Sequence, residues 1–479
     1  MKPIIVWFRQ DLRLSDNLAL SAAAATGRPI IALYVFEGSN RTIWSIGKAS
    51  KVWLHLSLQN LDSSLKKIGG RLTLRDGQPG AVLAQLIAET GANSIFWNRC
   101  YEPASIKRDA AIKSDLKNFG LEIQSFNGAL LYEPWVPRTK TGTPFKVFTP
   151  FWKSLLAGGA PEEPISLPTN LTFYSTFDDN SLDDLRLLPS KPDWSKTIQA
   201  SWSPGESNGK HQLHLFLDHG LKGYADLRDR PDLSHCSALS PFLHFGEISP
   251  RQIWQATTSQ MATVGNGSLD RDGWAFLREI AWREFSYHLL FHFPELPDVA
   301  WNKKFHSFAW IEDQSHLVSW QTGQTGYPIV DAGMRQLWHT GWMHNRVRMV
   351  AASFLTKHLL QHWSKGEKWF WETLVDADLA SNAASWQWIA GCGFDASPYF
   401  RIFNPIIQGQ KFDPKGDYVK QWVPELANLP TKYLHAPWEA PPHILADSNI
   451  TLGGTYPQPI VDHKSARLRA LDTYKKTMT

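Results

Sequence analysis

The first 130 residues alternate between two periodicities, and that alternation restricts the fold more than any other feature of the chain. Strand candidates stand at 3–8 ("PIIVWF"), 29–36 ("PIIALYVF"), 71–76 ("RLTLRD"), 93–98 ("NSIFWN") and 121–126 ("LEIQSF"). Helical patterns at 47–68, 79–90 and 104–118 separate the later ones, and "SDNLALSAAAA" (15–25) reads as a helix capped by aspartate. Fully apolar strands need cover on both faces. Taking turns with helices, they predict a parallel, doubly wound, Rossmann-like α/β sheet. The first strand-to-helix turn, "FRQDLRLSDN", holds no glycine, so the G-x-G-x-x-G pyrophosphate fingerprint is absent. A smaller or differently seated ligand stays compatible with that turn.

Residues 158–205 are rich in Pro, Ser, Asp and Gly ("GGAPEEPISLPTN", "LPSKPDWSKT") and read as a long connection over the surface. From about 206 the pattern is helical almost throughout, with no internal repeat. The expected architecture is α/β plus all-α: an α/β domain over 1–130, a linker over 131–205 and an all-helical domain over 206–479.

No run of 18 apolar residues occurs, which speaks against a membrane span, and "MKPIIVWFRQ" lacks the layout of a secretory signal. Three scattered cysteines, Cys100, Cys236 and Cys392, suit a reducing cytoplasm and exclude a disulfide framework or a four-cysteine metal site. The net charge of +4 permits a nucleic-acid partner only through local clustering. Fifteen of the 23 tryptophans follow residue 250. A large aromatic core explains most of them, yet that density also suits a domain that holds an aromatic cofactor or stacks bases.

Polar groups interrupt the apolar faces of the helical part. In "FLREIAWREFSYHLLFHF" (276–293), Phe276, Glu279, Trp282 and Arg283 fall on one helical stripe. In "GWMHNRVRMVAASFL" (341–355), Asn345, Arg348 and Met349 share a face and Arg346 points elsewhere. His344 there reads as a packed or capping residue. In "WETLVDADLASNAASWQW" (371–388), Asp376 and Asp378 sit just before a helix start, and Asn382 and Trp386 lie one turn apart among alanines. In "GYADLRDRPDLSHCSALSPFLHFGEISP" (223–250), Ser240 followed by Pro241 reads as an N-cap with proline at the first helical position. Its N–H groups and the hydroxyls of Ser237 and Ser240 would suit a phosphate, with Arg228 available for a second anion. Internal pairing or capping accounts for each feature alone. Together they describe the seat of a flat cofactor with a pyrophosphate, which is a flavin dinucleotide.

The stretches "WFRQDLRLSDN", "WREFSYHLLFHFPEL", "TGYPIVDAGMRQLWHTGWMHNRVRMVAASFLTKHLL", "VDADLASNAASWQW" and "DASPYFRIFNPIIQGQKFDPKGDYVKQWVPEL" resemble, in order and over nearly the whole chain, the photolyase/cryptochrome flavoproteins. The likeness is greatest to the bacterial cyclobutane-pyrimidine-dimer photolyases of class III. The resemblance implies light-driven repair of pyrimidine dimers in UV-damaged DNA by electron transfer from reduced FAD to a flipped-out dimer. It implies a monomeric cytoplasmic lyase with no membrane partner and no metal.

By resemblance, Tyr224, Ser237, Leu239 and Ser240 contact the FAD phosphates and ribose. Glu279 and Arg283 lie beside the flavin, Asn345 and Arg348 line its ring, and Arg348 pairs with Asp376. The backbone of Asp378 meets the flavin edge, and Asn382 faces N(5). Trp386, Trp363 and Trp310 form an electron relay to the surface. Arg228, Phe276, Trp282, Arg346, Met349 and Trp388 correspond to DNA and lesion contacts. The resemblance also implies an antenna chromophore in the α/β domain, 5,10-methenyltetrahydrofolate, with 8-hydroxydeazaflavin as its rival. Cys236 replaces a usual Thr, Phe276 a frequent Trp, and "NAA" a frequent "NGG", which leaves those contacts open. A cryptochrome photoreceptor is the alternative. Repair of the (6-4) photoproduct is disfavoured by Asn345 and Met349, which stand where that branch uses histidines.

Overall fold

The structure, a computed structural model, describes residues 1–38, 44–174, 180–265, 267–396 and 400–479. Residues 175–179 of the surface connection and 397–399 of "DASPYF" lie outside the described residues. Strands β1 (Ile4–Phe8), β2 (Ile30–Phe36), β3 (Leu72–Asp76), β4 (Ser94–Asn98) and β5 (Glu122–Phe126) form one parallel sheet in the order β3-β2-β1-β4-β5. Ile4 stands beside Ile30 on one side and Ser94 on the other. Helices α1 (Leu18–Ala25), α2 (Lys48–Lys67), α3 (Pro79–Thr90) and α4 (Pro103–Asn118) make the crossovers. All five residues of β1 are buried, as a strand covered on both faces requires.

The α1 cap differs from the aspartate expected. Asn17, in extended conformation, accepts the N–H of Leu20. Asp16 has φ +52° and is buried, and its carboxylate is committed to the guanidinium of Arg251 and the N–H of Ile165. A carboxylate already held by a buried cation is not available to cap.

The glycine-free first turn is instead packed by a glycine from far along the chain. Gly246 has φ +65°, and a Cβ there would stand 2.1 Å from the carbonyl oxygen of Gln10. Leu12 N–H donates to the carbonyl of Phe245. Buried Arg13 donates to the carbonyls of Gly246, Asp16 and Gly128.

The chain divides into two compact units. The first comprises 1–222, 237–294 and 375–380. It holds the sheet layer together with α5 (Phe148–Ala157), α6 (Lys196–Ser201), α7 (Glu206–Leu215), α9 (Ser240–His244), α10 (Pro250–Val264) and α11 (Asp270–His292). The second comprises 223–236, 295–374 and 381–479. It is helical: α8 (Tyr224–Leu227), α12 (Gln314–Gln321), α13 (Pro328–Thr340), α14 (Asn345–Ser353), α15 (Trp363–Thr373), most of α16 (Leu379–Ala390), and further helices to 478.

Candidate functional site

In the first unit, α11 is the organising element. It buries Phe276, Leu277, Ile280, Phe285 and Leu289. Several of its polar residues are engaged. Glu284 accepts the N–H groups of Leu131 and Tyr132 at 3.0 and 3.3 Å. Burial pushes its carboxyl up to about 7, only partly offset by Arg283 and those two donors. Arg283 donates to the carbonyl of Ala129 at 2.7 Å and lies over the ring of Tyr287, 4.8 Å from its centroid. Tyr287 donates its hydroxyl to Asp378, and His244 Nδ1 stands 3.7 Å from the same carboxylate. Burial alone would raise Asp378, but His244, Arg283 and the Tyr287 hydroxyl hold it well below the usual carboxylate range. A buried anion therefore stands immediately before α16.

Ser240 differs from the capping role expected of it. Leu239 occupies the N-cap of α9, and Ser240 is already helical with proline following. Its hydroxyl donates to Asp376. The reason lies one residue earlier: Ala238 adopts φ +51°, a left-handed conformation rare for a residue with a Cβ, and this turns the chain before the helix. Phe276 is buried against Phe216, with ring centroids 4.5 Å apart. Glu279 is partly exposed, and Trp282 stacks on Phe148.

In the second unit, α14 opens with His344 at its N-cap, as expected for that histidine. Nδ1 accepts the N–H of Arg346, and Nε2 lies 3.1 Å from Cys236 Sγ. Burial holds its imidazole down at about 4. Arg346 pairs with Asp229 and lies over Phe412. Arg348 donates Nε to the carbonyl of Met343 at 2.7 Å. Asn345 and Met349, one turn apart, bring amide and sulfur to 4.0 Å. Arg228 lies over the ring of buried Tyr224. On α16, Trp388 donates Nε1 to the carbonyl of Asp395, and Arg401 lies over its ring.

Asn382 is 8 % exposed and donates Nδ2 to the backbone carbonyl of Glu367 at 3.0 Å. A carbonyl can only accept, so this bond fixes the amide orientation. The Oδ1 oxygen then has no partner among the described residues and is presented as an acceptor. The amide oxygen so presented fits a flavin, as an acceptor for a ring N–H.

Trp386, 2 % exposed, rests on α15 where Gly366 leaves room for its ring. Trp363, one turn before Gly366 on the same helix, is buried. His362 lies between Trp363 and partly exposed Trp310, with centroid separations of 5.3 and 5.2 Å. Two of the three indoles are thus buried and the third, Trp310, is partly exposed.

Sequence reasoning missed several residues. Glu284 caps an irregular segment and Tyr287 holds Asp378. Glu367, fully buried, has neither carboxylate oxygen hydrogen-bonded among the described residues. Its carboxyl is raised well above the usual range by burial. Only the helical spacing of Trp363 and Glu367, four residues apart, hinted that the latter faces inward.

The chain is similar to known proteins over nearly its whole length. Residues 4–168 match the DNA photolyase family, and residues 276–476 match the FAD binding domain of DNA photolyase. A deoxyribodipyrimidine photo-lyase of Agrobacterium fabrum is 52 % identical over 99 % of this chain and 98 % of its own length. The crystal structure of a bacterial class III photolyase from Agrobacterium tumefaciens superposes with a TM-score of 0.95 at 52 % identity, covering 100 % of this chain and 98 % of that one. Cryptochrome-1 of Arabidopsis thaliana is 41 % identical over 97 % of this chain and 69 % of its own length.

Proposed function

The chain belongs to the DNA photolyase family, and we propose that it is a deoxyribodipyrimidine photolyase, splitting cyclobutane pyrimidine dimers in DNA with light. The observation that carries this reading is the fixed amide of Asn382, one turn before Trp386 on α16, together with a buried Trp363 that His362 joins to partly exposed Trp310. Greater identity to a photo-lyase than to the plant cryptochromes disfavours the photoreceptor alternative.

FAD, when bound reduced and excited by light, supplies the electron that opens the dimer. The residues proposed to hold it are Tyr224, Ser237, Leu239, Ser240, Glu279, Arg283, Asn345, Arg348, Asp376, Asp378 and Asn382. Asn382, pinned through its nitrogen, would offer its oxygen to the N(5)–H, a hydrogen present on reduced but not on oxidised flavin, and so favour the reduced cofactor. Trp386, Trp363 and Trp310 carry electrons inward from the surface. Arg228 and Arg346 anchor phosphates, so binding weakens with salt. Trp282, Met349 and Trp388 are the residues proposed to meet a dimer, which unpairs more cheaply than intact bases; Phe276, buried against Phe216, has no open face to offer it.

We propose methenyltetrahydrofolate as the antenna. The crevice at the switch point of the sheet, where doubly wound folds seat ligands, is taken up among the described residues by Arg9, which lies over Trp7 and Trp97 and pairs with Asp109. In the helical unit, by contrast, Trp338 is 60 % exposed and runs parallel to Trp369 with centroids 6.1 Å apart and planes 7° apart. The exposed indole of Trp338 is proposed as a stacking platform for a flat pterin. We place the enzyme in the cytoplasm as a monomer, in keeping with its three cysteines outside any disulfide.

The test is to illuminate the purified protein, with FAD reduced, on UV-treated oligothymidylate. Dimer loss under blue light is the expected result; persistence of the dimers overturns the reading. The absorption spectrum of the released chromophores identifies the antenna.

A further inference from the structure

Trp282 is not a loose aromatic on the face of α11. Its ring lies on that of Phe148, the first residue of α5, with centroids 3.7 Å apart and planes 7° apart. Phe285 stands edge-on to both rings at 5.8 and 5.9 Å. The guanidinium of Arg278, one turn before Trp282, lies 5.5 Å from the Phe148 ring centroid. Phe148 is fully buried, while Trp282 keeps part of its surface open.

The segment leading into Phe148 is itself fixed to α11. The N–H of Phe145 donates to His288 Nε2 at 3.0 Å, and His288 Nδ1 donates to the carbonyl of Pro134 at 2.8 Å. One imidazole therefore ties two points of the 134–148 segment with both of its nitrogens. Phe151, on the next turn of α5, packs on Phe285 and His288. Phe148 is thus a rigid plate.

An indole with one face against a rigid plate has one rotamer, and only its other face and its edges can meet a base. Rings used as stacking platforms bind better when their orientation is settled beforehand, because the ordering cost is not charged to the complex. We propose that Phe148 is a positioning residue for lesion recognition: it locks Trp282 and makes the start of α5 part of the dimer pocket. The proposal rests on the reading of Trp282 as a lesion contact.

The test is a double-mutant cycle on the FAD-loaded protein, with affinity for an oligonucleotide carrying a single thymine dimer measured in the dark. Phe148→Leu keeps an apolar side chain but removes the planar face. It is expected to weaken binding about 2- to 12-fold, the range that corresponds to ordering one side chain. Repair per bound complex under a saturating flash and FAD content should stay at wild-type values. In the Trp282→Ala background the same substitution should add nothing. Additive losses, or full affinity in Phe148→Leu, overturn the proposal while leaving Trp282 as a contact. Full affinity in Trp282→Ala overturns the lesion-contact reading and the proposal with it. If Phe148→Leu does not load flavin, Phe148→Met takes its place in the same cycle.

Discussion

Gly366→Ala probes the seat of Trp386. An added Cβ would stand 2.1 Å from Cη2 and 2.5 Å from Cζ3 of that indole, and 2.6 Å from Cδ2 of Leu355, whereas ordinary contact begins at 3.4 Å. The difference, 3.4 − 2.1, requires the indole to retreat by 1.3 Å. Overpacking of a filled core costs about 1–3 kcal/mol. Replacing a mid-helix glycine by alanine returns about 0.5–1 kcal/mol. The net change in stability therefore runs from near zero to a loss of about 2.5 kcal/mol, small enough for the protein to fold. The displaced ring moves relative to Trp363, which shares α15 with Gly366, so electron flow should suffer more than stability. The assay pairs denaturant unfolding with the rate of flavin photoreduction under steady blue light. We expect a modest shift in unfolding midpoint and photoreduction slowed several-fold. A variant stabilised by the full propensity gain of about 1 kcal/mol, with wild-type photoreduction, would refute the reasoning.

Other substitutions test separate parts of the site. Asn382→Asp replaces a neutral acceptor by an ionisable one and should change the flavin species that accumulates on illumination; an unaltered spectrum and rate would remove Asn382 from redox tuning. Glu284 has a folded value of about 7 against an ordinary 4.5, so its contribution is greatest below pH 4.5 and is lost as pH rises through 7. Glu284→Gln should flatten that decline, changing the stability gap from wild type by up to about 3 kcal/mol between pH 4.5 and 8, read by urea unfolding. Arg346→Gln should weaken binding of dimer-free and dimer-containing DNA alike and reduce the salt slope by about one; an unchanged slope would show that its charge stays with Asp229. Trp338→Ala should lose the antenna absorbance while retaining FAD, checked on the purified protein's spectrum.

The strands were legible because apolar runs such as "IIVWF" must be buried on both faces, and nothing else in the first 130 residues competes with that demand. Helical spacing likewise put Asn382 and Trp386 on one face. Caps were less legible. Asp16 and Ser240 carry the right side chains, but a buried guanidinium claims one and a left-handed Ala238 displaces the other. Glu284, Tyr287 and Phe148 gave no signal, because their partners lie 91 to 153 residues away and only the folded chain brings them together. The stacking of Phe148 on Trp282 spans 134 residues and follows no periodicity.

Gly246 seated against Gln10, together with the inclusion of 375–380 in the same compact unit, has a temporal meaning. Synthesis runs from the first strand outward, yet the unit that contains this strand closes only when residue 380 has left the ribosome. At about 5–20 residues per second, Gly246 emerges roughly 12–48 seconds after β1, and residue 380 roughly 20–75 seconds after it. Until Gly246 emerges the first turn lacks its glycine, and after that the unit still lacks its last segment. Truncations that stop short of residue 380 should therefore be held by chaperones or degraded, even when they include every strand of the sheet. The architecture obliges the nascent protein to keep its oldest segment soluble while its newest is still being made.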